Sequence, residues 1–159
     1  MSLFETTSLR AAGVETDGEL AKTLSGRENI FDMTQAAEEA VLRPRDAGAF
    51  DHDLRAALAA RVAKLAEDDR LAAHYLADAG NMAALGDPAQ TGAAQGLSAV
   101  VAFVDKVASQ TRDIAAEDVA GLQAAGVADA DIVRLCELVA FMAYQIRLVA
   151  GLRLMRGAA

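Results

Sequence analysis

The sequence predicts an all-α fold, and its composition, its patterning and its few prolines all point that way. Alanine, leucine and valine dominate the 159 residues, and aromatic residues make up only 4%. Alanine and leucine lose little conformational freedom on entering a helix, so the composition favours helices packed through small side chains. β-branched residues never alternate with polar ones over the length of a strand, and the chain has only two prolines. The length suits one domain with its own hydrophobic core.

The N-terminal part is expected to hold a loose arm followed by one or two helices. Residues 1–16 show no sustained period, which predicts a loose arm or an arm that docks on a partner. Residues 17–42 are predicted to be helical, with a break near Ser25-Gly26. The buried face should carry the apolar residues at steps of three and four: Ile30, Met33, Ala37 and Val41. This segment should end before Pro44, because the residue preceding a proline is pushed out of helical geometry.

The middle of the chain is predicted to form a helix, a break, a second helix and then a loop. The first helix should begin near Asp51 and bury one apolar stripe: Leu54, Leu58, Val62 and Leu65. Its basic residues are expected mostly on other faces: Arg55, Arg61 and Lys64. Acidic residues at 67–69 indicate a break or kink before the apolar pattern resumes at Leu71, although one longer helix is the alternative. Residues 80–92 are rich in glycine and predict a loop with room for one short helical turn.

Three more helices are predicted towards the C-terminus. The first covers about residues 95–109, and the second covers 115–125 with Gly126 as its left-handed C-cap. Asp129 is expected to cap the last helix, residues 130–156, which carries two apolar stripes side by side. A helix that is apolar on two stripes lies either at the centre of a fold or at a subunit interface.

The charge balance argues against two classes of partner. The formal net charge is −8 at pH 7 and the basic residues form no cluster, so neither nucleic acid nor an anionic membrane is expected as a partner. The N-terminus lacks a basic region followed by an apolar run, which predicts a cytoplasmic protein. The apolar stretch Leu135–Leu154 is expected to be a core helix rather than a membrane span, because Glu137, Arg147 and Arg153 interrupt it.

The sequence offers little for metal or thiol chemistry. Cys136 is the only cysteine, so it can form neither an intrachain disulfide nor a CxxC pair, and we expect it to be a small buried hydrophobe. No cysteine lies near the two histidines, His52 and His74, and no zinc site is predicted. The sequence also has no glycine-rich phosphate loop and no nucleophile elbow. No cofactor is therefore expected.

Two segments near the C-terminus resemble a known family. They are Ala124-Ala-Gly-Val-Ala-Asp-Ala-Asp-Ile-Val133 and Leu138-Val-Ala-Phe-Met-Ala-Tyr-Gln-Ile-Arg147. Both are similar to the C-terminal half of alkylhydroperoxidase D-like (AhpD-like) proteins, which belong with the carboxymuconolactone decarboxylase domains. The ending Gln145-Ile-Arg-Leu-Val-Ala-Gly-Leu-Arg153 is similar to an uncharacterised peroxidase-related branch.

The resemblance covers about residues 50–156, and the first 45 residues match only weakly. It implies one compact unit made of two parts. Residues 1–45 would form an N-terminal arm and helices, and residues 46–159 would form the family's helical domain of about six to eight helices, with a long central C-terminal helix.

The resemblance also implies a chemistry for which this chain lacks the residues. Redox members carry a Glu, eleven residues, Cys-x-x-Cys, three residues and a His. A thiolate attacks peroxide, the second thiol resolves the sulfenic acid, and Glu and His relay protons. On this chain the histidine falls on His74, the cysteines on Glu67 and Arg70, and the glutamate on Arg55. Only the histidine is kept, so the resemblance implies peroxidase-related ancestry without a thiol peroxidase cycle.

Three catalytic candidates stand at the positions of the family motif: His74, Glu67 and Arg70. They lie along one helical face if the helix is continuous. On one interpretation the charged pair has replaced the thiols and serves acid–base work or anion binding, with His74 as the proton relay near neutral pH. On the other interpretation the pair is an ordinary exposed ion pair and His74 has no special role.

Two substrate-binding candidates lie on the last helix: Tyr144 and Arg147. Arg147 interrupts an apolar helix, and an unpaired buried charge is very costly. We therefore expect Arg147 either to pair with a carboxylate such as Glu137 or Glu67, or to serve a pocket.

Three functions stay open at this point. The first is a small-molecule binder of peroxidase-related ancestry. The second is a non-redox enzyme of the lactone decarboxylase type, with His74, Glu67 and an arginine as acid, base and carboxylate anchor. The third is an oligomeric accessory protein with a filled pocket and no active site. Related domains are homo-oligomers, and the two stripes of the last helix predict a homodimer or a higher symmetric oligomer.

Overall fold

The structure, a computed structural model, describes residues 2–157, and its regular elements are helices. The α-helices are α1 (Thr7–Ala12), α2 (Gly18–Ser25), α3 (Glu28–Leu42), α4 (His52–Leu65), α5 (Asp69–Leu76), α6 (Ser98–Ser109), α7 (Ala116–Ala124) and α8 (Asp129–Gly157). Short 3-10 turns occur at Leu3–Glu5, Gly80–Gly86, Ala93–Gln95 and Thr111–Asp113. No strand occurs within residues 2–157, so the predicted all-α class is confirmed.

The core lies between α4 and α8. Helix α4 is buried at every position from Leu54 to Ala63, because α3, α5, α6, α8 and the Gly80–Gly86 turn all pack on it. Five of those ten positions are alanines, which lets the surrounding elements approach closely: Ala56, Ala57, Ala59, Ala60 and Ala63. Helix α8 packs on α1, α3, α4, α6 and α7. The predicted long C-terminal helix is therefore present.

Helix α8 is long and apolar enough to cross a membrane, judged by length and composition alone. Its apolar residues include a continuous face buried against the other helices: Ile132, Leu135, Leu138, Val139, Phe141, Met142, Val149 and Leu152. A helix that packs on five others needs such a face, so the packing accounts for its composition.

Several predicted helix ends agree with the structure because local signals set them, but α6 begins at Ser98 rather than near residue 95, and Asp129 is the first residue of α8 rather than its cap. Helix α2 ends at Ser25, and α3 ends at Leu42, two residues before Pro44. The Asp51 carboxylate caps α4 by accepting the Leu54 N–H at 2.8 Å. Gly126 follows α7 with a φ of 86°.

A sharp break separates α4 from α5, so the alternative of one longer helix is wrong. Glu67 adopts a φ of 59°, the only positive φ of a non-glycine residue in the described part of the chain. Asp68 then caps α5 by accepting the Leu71 N–H at 3.0 Å. Glu67 consequently lies outside the helix that carries Arg70 and His74.

The prediction of a loose arm over residues 1–16 is wrong for the segment that contains α1. Leu9 and Ala12 are fully buried, and α1 packs on α3, α5 and α8. Buried Thr7 and Ser8 interrupt the apolar pattern, and six helical residues are too few to reveal a period.

The predicted buried face of α3 is also wrong. Met33 is 60% exposed, and the buried residues are Phe31, Thr34, Glu38 and Leu42. The inward face mixes apolar with polar side chains, so a pattern based on apolar residues alone selects the neighbouring face.

Arg55 and Arg61 are buried in the core, contrary to the prediction that they lie on other faces of α4. Arg61 is 1% exposed. Its guanidinium forms two bonds to the Asp105 carboxylate and donates to the backbone carbonyls of one loop: Leu85, Asp87, Pro88 and Gln90. Arg55 likewise donates to three carbonyls: Val41, Ala47 and Phe50. Both guanidinium groups take the place of water as hydrogen-bond donors to backbone carbonyls.

Candidate functional site

A connected group of buried polar side chains joins α1, α3, α5 and α8, and its centre is the carboxylate of Glu38. Glu38 is 1% exposed. Its Oε1 accepts a hydrogen bond from the Thr7 hydroxyl at 2.7 Å, and its Oε2 accepts from the Gln145 amide at 3.0 Å and the Tyr75 hydroxyl at 3.3 Å. The Ser8 hydroxyl donates to the Gln145 amide oxygen at 3.1 Å. We call these five residues, with His74, the Glu38 network.

His74 is the point at which the Glu38 network reaches the surface. Its Nε2 lies 3.3 Å from the Thr7 hydroxyl oxygen and 4.0 Å from Oε1 of Glu38. The side chain of His74 is 34% exposed, whereas that of Glu38 is 1% exposed. The Thr7 hydroxyl therefore connects a solvent-accessible imidazole with a buried carboxylate.

Burial favours the neutral form at both ends of this connection. Desolvation raises the pKa of Glu38, although hydrogen bonds from Thr7, Gln35 and Tyr75 oppose part of the effect. Desolvation, followed by the positive charge of Arg10, lowers the pKa of His74. The imidazole is consequently neutral near pH 7 and free to accept a proton.

The hydroxyl of Thr7 determines which nitrogen of His74 is free. It carries one proton, which it donates to Glu38 when that carboxylate is ionised, so its oxygen accepts the Nε2–H of His74. The imidazole then keeps its proton on Nε2 and presents Nδ1 as the acceptor. When Glu38 is protonated the directions reverse, and a proton can pass through Thr7 towards Nε2.

A small cavity opens beside His74, with a volume of about 160 Å³. Its other walls are Arg10 and Ala11 on α1 and Arg70, one turn before His74 on α5. Arg10 and Arg70 are exposed, and within residues 2–157 neither forms an ion pair. We call this space the His74 cavity. Its size suits a small anion, and its two guanidinium groups suit a carboxylate.

An ion pair holds the two sides of the His74 cavity together. Arg153 on α8 donates two bonds of 2.9 Å to the carboxylate of Asp68, and a third of 3.1 Å to the carbonyl of Ala11. Asp68 also caps α5. The end of α1 and the start of α5 are therefore fixed to the same guanidinium, and Arg10 and His74 face one space.

Of the predicted catalytic residues, Arg70 and His74 line the same cavity. Glu67 does not join them, because its left-handed backbone places it in the exposed junction between α4 and α5. The expected alignment of all three on one continuous helix is therefore wrong. Glu38 supplies the carboxylate near His74 instead.

The two predicted substrate-binding residues lie away from the His74 cavity. The Tyr144 hydroxyl is 2.9 Å from the Thr34 hydroxyl, and the Tyr144 side chain is on the surface of α8. Arg147 lines a separate cleft and donates to the carbonyl of Ala143 at 3.3 Å. No carboxylate in the described part of the chain pairs with Arg147, so the expected ion pair with Glu137 or Glu67 is absent there.

Six polar residues that build the site were not predicted from the sequence: Thr7, Ser8, Arg10, Glu38, Tyr75 and Gln145. Thr7 and Arg10 lay in the segment predicted to be a loose arm. Glu38 had a usable signal, because Phe31, Thr34, Glu38 and Leu42 are spaced as one helical face. A polar residue between apolar ones at that spacing indicates a buried group with partners.

Cys136 is exposed on α8, which corrects the prediction of a buried hydrophobe. Desolvation and the nearby charge of Glu137 raise the pKa of its thiol. A raised thiol pKa lowers the fraction of nucleophilic thiolate at neutral pH. Within residues 2–157, no group of three or more His, Cys, Asp or Glu side chains is placed to hold a metal ion.

Comparisons with known proteins add no assignment to this geometry. No family model, no curated protein and no solved structure matches the chain. The site is thus defined by its own parts, which are a partly exposed imidazole, a hydroxyl that joins it to a buried carboxylate, and two guanidinium groups beside it.

Proposed function

We propose that the chain is a non-redox acid–base protein that binds a small carboxylate in the His74 cavity. It would be a divergent, cytoplasmic member of the alkylhydroperoxidase D-like and carboxymuconolactone decarboxylase family, closer in chemistry to the lactone decarboxylases than to the peroxidases. The observation that carries the proposal is the connection from His74 through Thr7 to Glu38, which opens beside Arg10 and Arg70.

Anion binding is supported by the two arginines of the cavity. Both present planar donors that match a carboxylate, and both lie beside a histidine whose pKa is lowered in part by Arg10. The whole chain has a net charge of −8, so a pocket with two guanidinium groups stands out against an acidic surface. A bound carboxylate would supply the counter-charge.

Proton transfer is supported by the state of His74. When Glu38 is ionised, a neutral imidazole that donates from Nε2 to the Thr7 hydroxyl can take a proton at Nδ1 from a bound ligand. A lowered pKa keeps it in that state at pH 7. Thr7 and Glu38 act as positioning residues, because they fix the tautomer and stabilise the imidazolium that forms.

Thiol chemistry is unsupported at the corresponding positions. Glu67 and Arg70 stand where the family's redox members carry cysteine, and the single thiol of Cys136 lies on α8 with a raised pKa. We therefore expect no hydroperoxide turnover with a thiol reductant, and the same result for Cys136→Ser. Turnover that disappears in Cys136→Ser would contradict the proposal.

The anion site is tested by titrating the protein with succinate while amide chemical shifts are followed by NMR. We expect shifts at Arg10, Arg70 and His74, and affinity at least about tenfold weaker in Arg70→Gln because a charge-assisted bond is lost. Arg45→Gln, which removes an equal charge from the surface outside the cavity, is the matched control. Equal affinity in both variants would contradict the carboxylate site.

The catalytic step is tested by a panel of small unsaturated lactone carboxylates, with proton uptake and decarboxylation as readouts. We expect His74→Gln to abolish turnover and Thr7→Val to lower kcat with little change in KM, because Thr7 only orients the base. If succinate binds but no lactone is turned over, the protein binds carboxylates without catalysing a reaction, and the proposed acid–base catalysis is contradicted.

Self-association is a second candidate property, favoured by the outer surface of α8. Val133 and Leu154 are 56% and 76% exposed, Tyr144 is 44% exposed, and Met33 on the neighbouring α3 is 60% exposed. Exposed apolar residues in such a series are typical of subunit interfaces. We propose a homodimer or higher symmetric oligomer, tested by sedimentation at micromolar concentration with Leu154→Glu. A wild-type chain that sediments only as a monomer would contradict it.

A further inference from the structure

A second cavity of about 300 Å³ lies between α4, α6 and α8, apart from the His74 cavity. Its walls are mostly aliphatic, and its polar lining residues are Ser109 and Arg147; the larger aliphatic groups are Val62 and Leu65 on α4 and Val139 and Ile146 on α8. Among residues 2–157, no aromatic side chain lines it. This volume is at the lower end of the range for small-molecule sites, which are mostly apolar with a few polar groups that fix orientation. We call this space the Arg147 cleft.

Arg147 is the charged group of the cleft. Its side chain is exposed, and its hydrogen bond to the carbonyl of Ala143, 3.3 Å long, uses one of five N–H donors. Arg147 also lines an adjoining polar hollow of about 520 Å³, which shares Ala108 and Ser109 with the cleft. The guanidinium thus stands at the boundary between an apolar space and a polar one.

The polar hollow favours an anion on that guanidinium. It holds two arginines, Arg112 and Arg147, and one carboxylate, Asp113. Within the described residues, neither arginine forms an ion pair. A ligand with a negative head at Arg147 and an apolar tail would therefore meet matching surroundings at both ends.

We propose that the Arg147 cleft binds an alkyl carboxylate, with its chain between α4, α6 and α8 and its carboxylate on Arg147. The aliphatic walls favour an alkyl chain over an aromatic ring, and the guanidinium favours a carboxylate over an alcohol. The site is independent of the proposed acid–base function, because the cleft and the His74 cavity share no lining residue.

The test uses octanoate as the probe, with 1-octanol and acetate as comparisons, in NMR titrations of the full chain at pH 7. Octanoate should shift the amides of cleft residues, and acetate should not. Arg147→Gln should weaken octanoate binding about tenfold and leave 1-octanol binding unchanged, because only the charge-assisted bond is lost. Arg156→Gln, which removes an exposed arginine of α8 that lies outside the cleft, is the matched control and should bind like wild type.

A second variant distinguishes binding of the alkyl chain in the cleft from binding of the carboxylate at Arg147. Ala143→Leu places extra carbons in the cleft and should weaken octanoate and 1-octanol alike, with folding verified by circular dichroism. Arg70→Gln should leave octanoate affinity unchanged, because Arg70 lines the His74 cavity and not the Arg147 cleft. A wrong proposal for the His74 cavity can therefore be told apart from a wrong proposal for the Arg147 cleft.

Three outcomes would overturn the proposal. The first is octanoate that shifts no cleft residue at millimolar concentration. The second is equal octanoate affinity in wild type and Arg147→Gln. The third is a dimer in sedimentation that Ala143→Leu converts to a monomer, since the cleft would then be filled by a second copy of the chain.

Discussion

Glu38 shows how one buried charge can organise several helices. Its carboxylate is 1% exposed, and it accepts bonds from α1, α5 and α8. Ionising a carboxylate away from water is costly, and hydrogen-bond donors offset part of that cost. Because the donors come from distant segments, any shift of these helices would leave the charge poorly paired. Glu38 thus couples the positions of Thr7 and His74 to the packing of the core.

Neutralising Arg10 should raise the pKa of His74 towards its ordinary value of 6.5. Arg10 is the second cause of the lowered pKa, after burial, and its positive charge disfavours the imidazolium. The measurement is an NMR titration of the imidazole in Arg10→Gln. Arg45→Gln is the control, and the prediction fails if both variants shift the pKa of His74 equally.

Glu38→Gln should change how the free energy of unfolding depends on pH. The folded state raises the pKa of Glu38 above 4.5, so it binds the proton more tightly than the unfolded state does. The stability linked to this proton is present below pH 4.5 and is lost as pH rises through the folded pKa. The free energy of unfolding of the wild type minus that of Glu38→Gln should therefore fall as pH rises, as measured by urea unfolding. A difference that stays constant with pH would contradict the raised pKa.

At the scale of elements, most helix ends and the apolar stripes of α4 and α8 were predictable, whereas the inward face of α3 was not. Asp51, Pro44 and Gly126 act on the residues next to them, so their effect can be deduced from the chain alone. The inward face of α3 depends on partners 31 to 107 residues away in the sequence, which no local pattern contains. Arg70 and His74 were candidates because the motif of the resembled family falls on those positions, and the structure places both beside one cavity. Thr7 and Arg10 were not, since they reach the site only through tertiary packing.

Asp68→Ala should lower the free energy of unfolding by about 2–4 kcal/mol, because it removes the cap of α5 and leaves Arg153 without its carboxylate. Asp69→Ala is the matched control. Asp69 is an exposed neighbour in the first turn of α5, and its loss should cost less than about 1 kcal/mol. Chemical denaturation of both variants gives the comparison, and equal losses would contradict the role of the ion pair.

At the scale of the whole molecule, the first and last helices are one structural unit. Helix α1 packs on α8, and Arg153 and Arg156 of α8 donate to the carbonyls of Ala11 and Gly13. Helix α8 therefore holds α1 in place, and α1 lines the His74 cavity together with α5. A segment with no readable period in the sequence turns out to supply Thr7 and Arg10.

Deleting residues 1–14 should lower the urea midpoint of unfolding substantially, because it removes the fully buried Leu9 and Ala12 and leaves Gln145 and Glu38 without Ser8 and Thr7. A truncated chain with the wild-type midpoint would show that α1 is dispensable. Leu9→Ala in the full chain is the milder comparison and should cost about 2–5 kcal/mol.

The way Arg61 holds residues 85–90 has a consequence for engineering. Its guanidinium binds four carbonyl oxygens, and carbonyl oxygens are the same whatever side chain each residue carries. This surface loop should accept many different amino acids at its exposed positions. It should not accept an inserted or deleted residue, since that would move the carbonyls away from one fixed cation. A library of variants built on this loop should vary its exposed amino acids and keep its length.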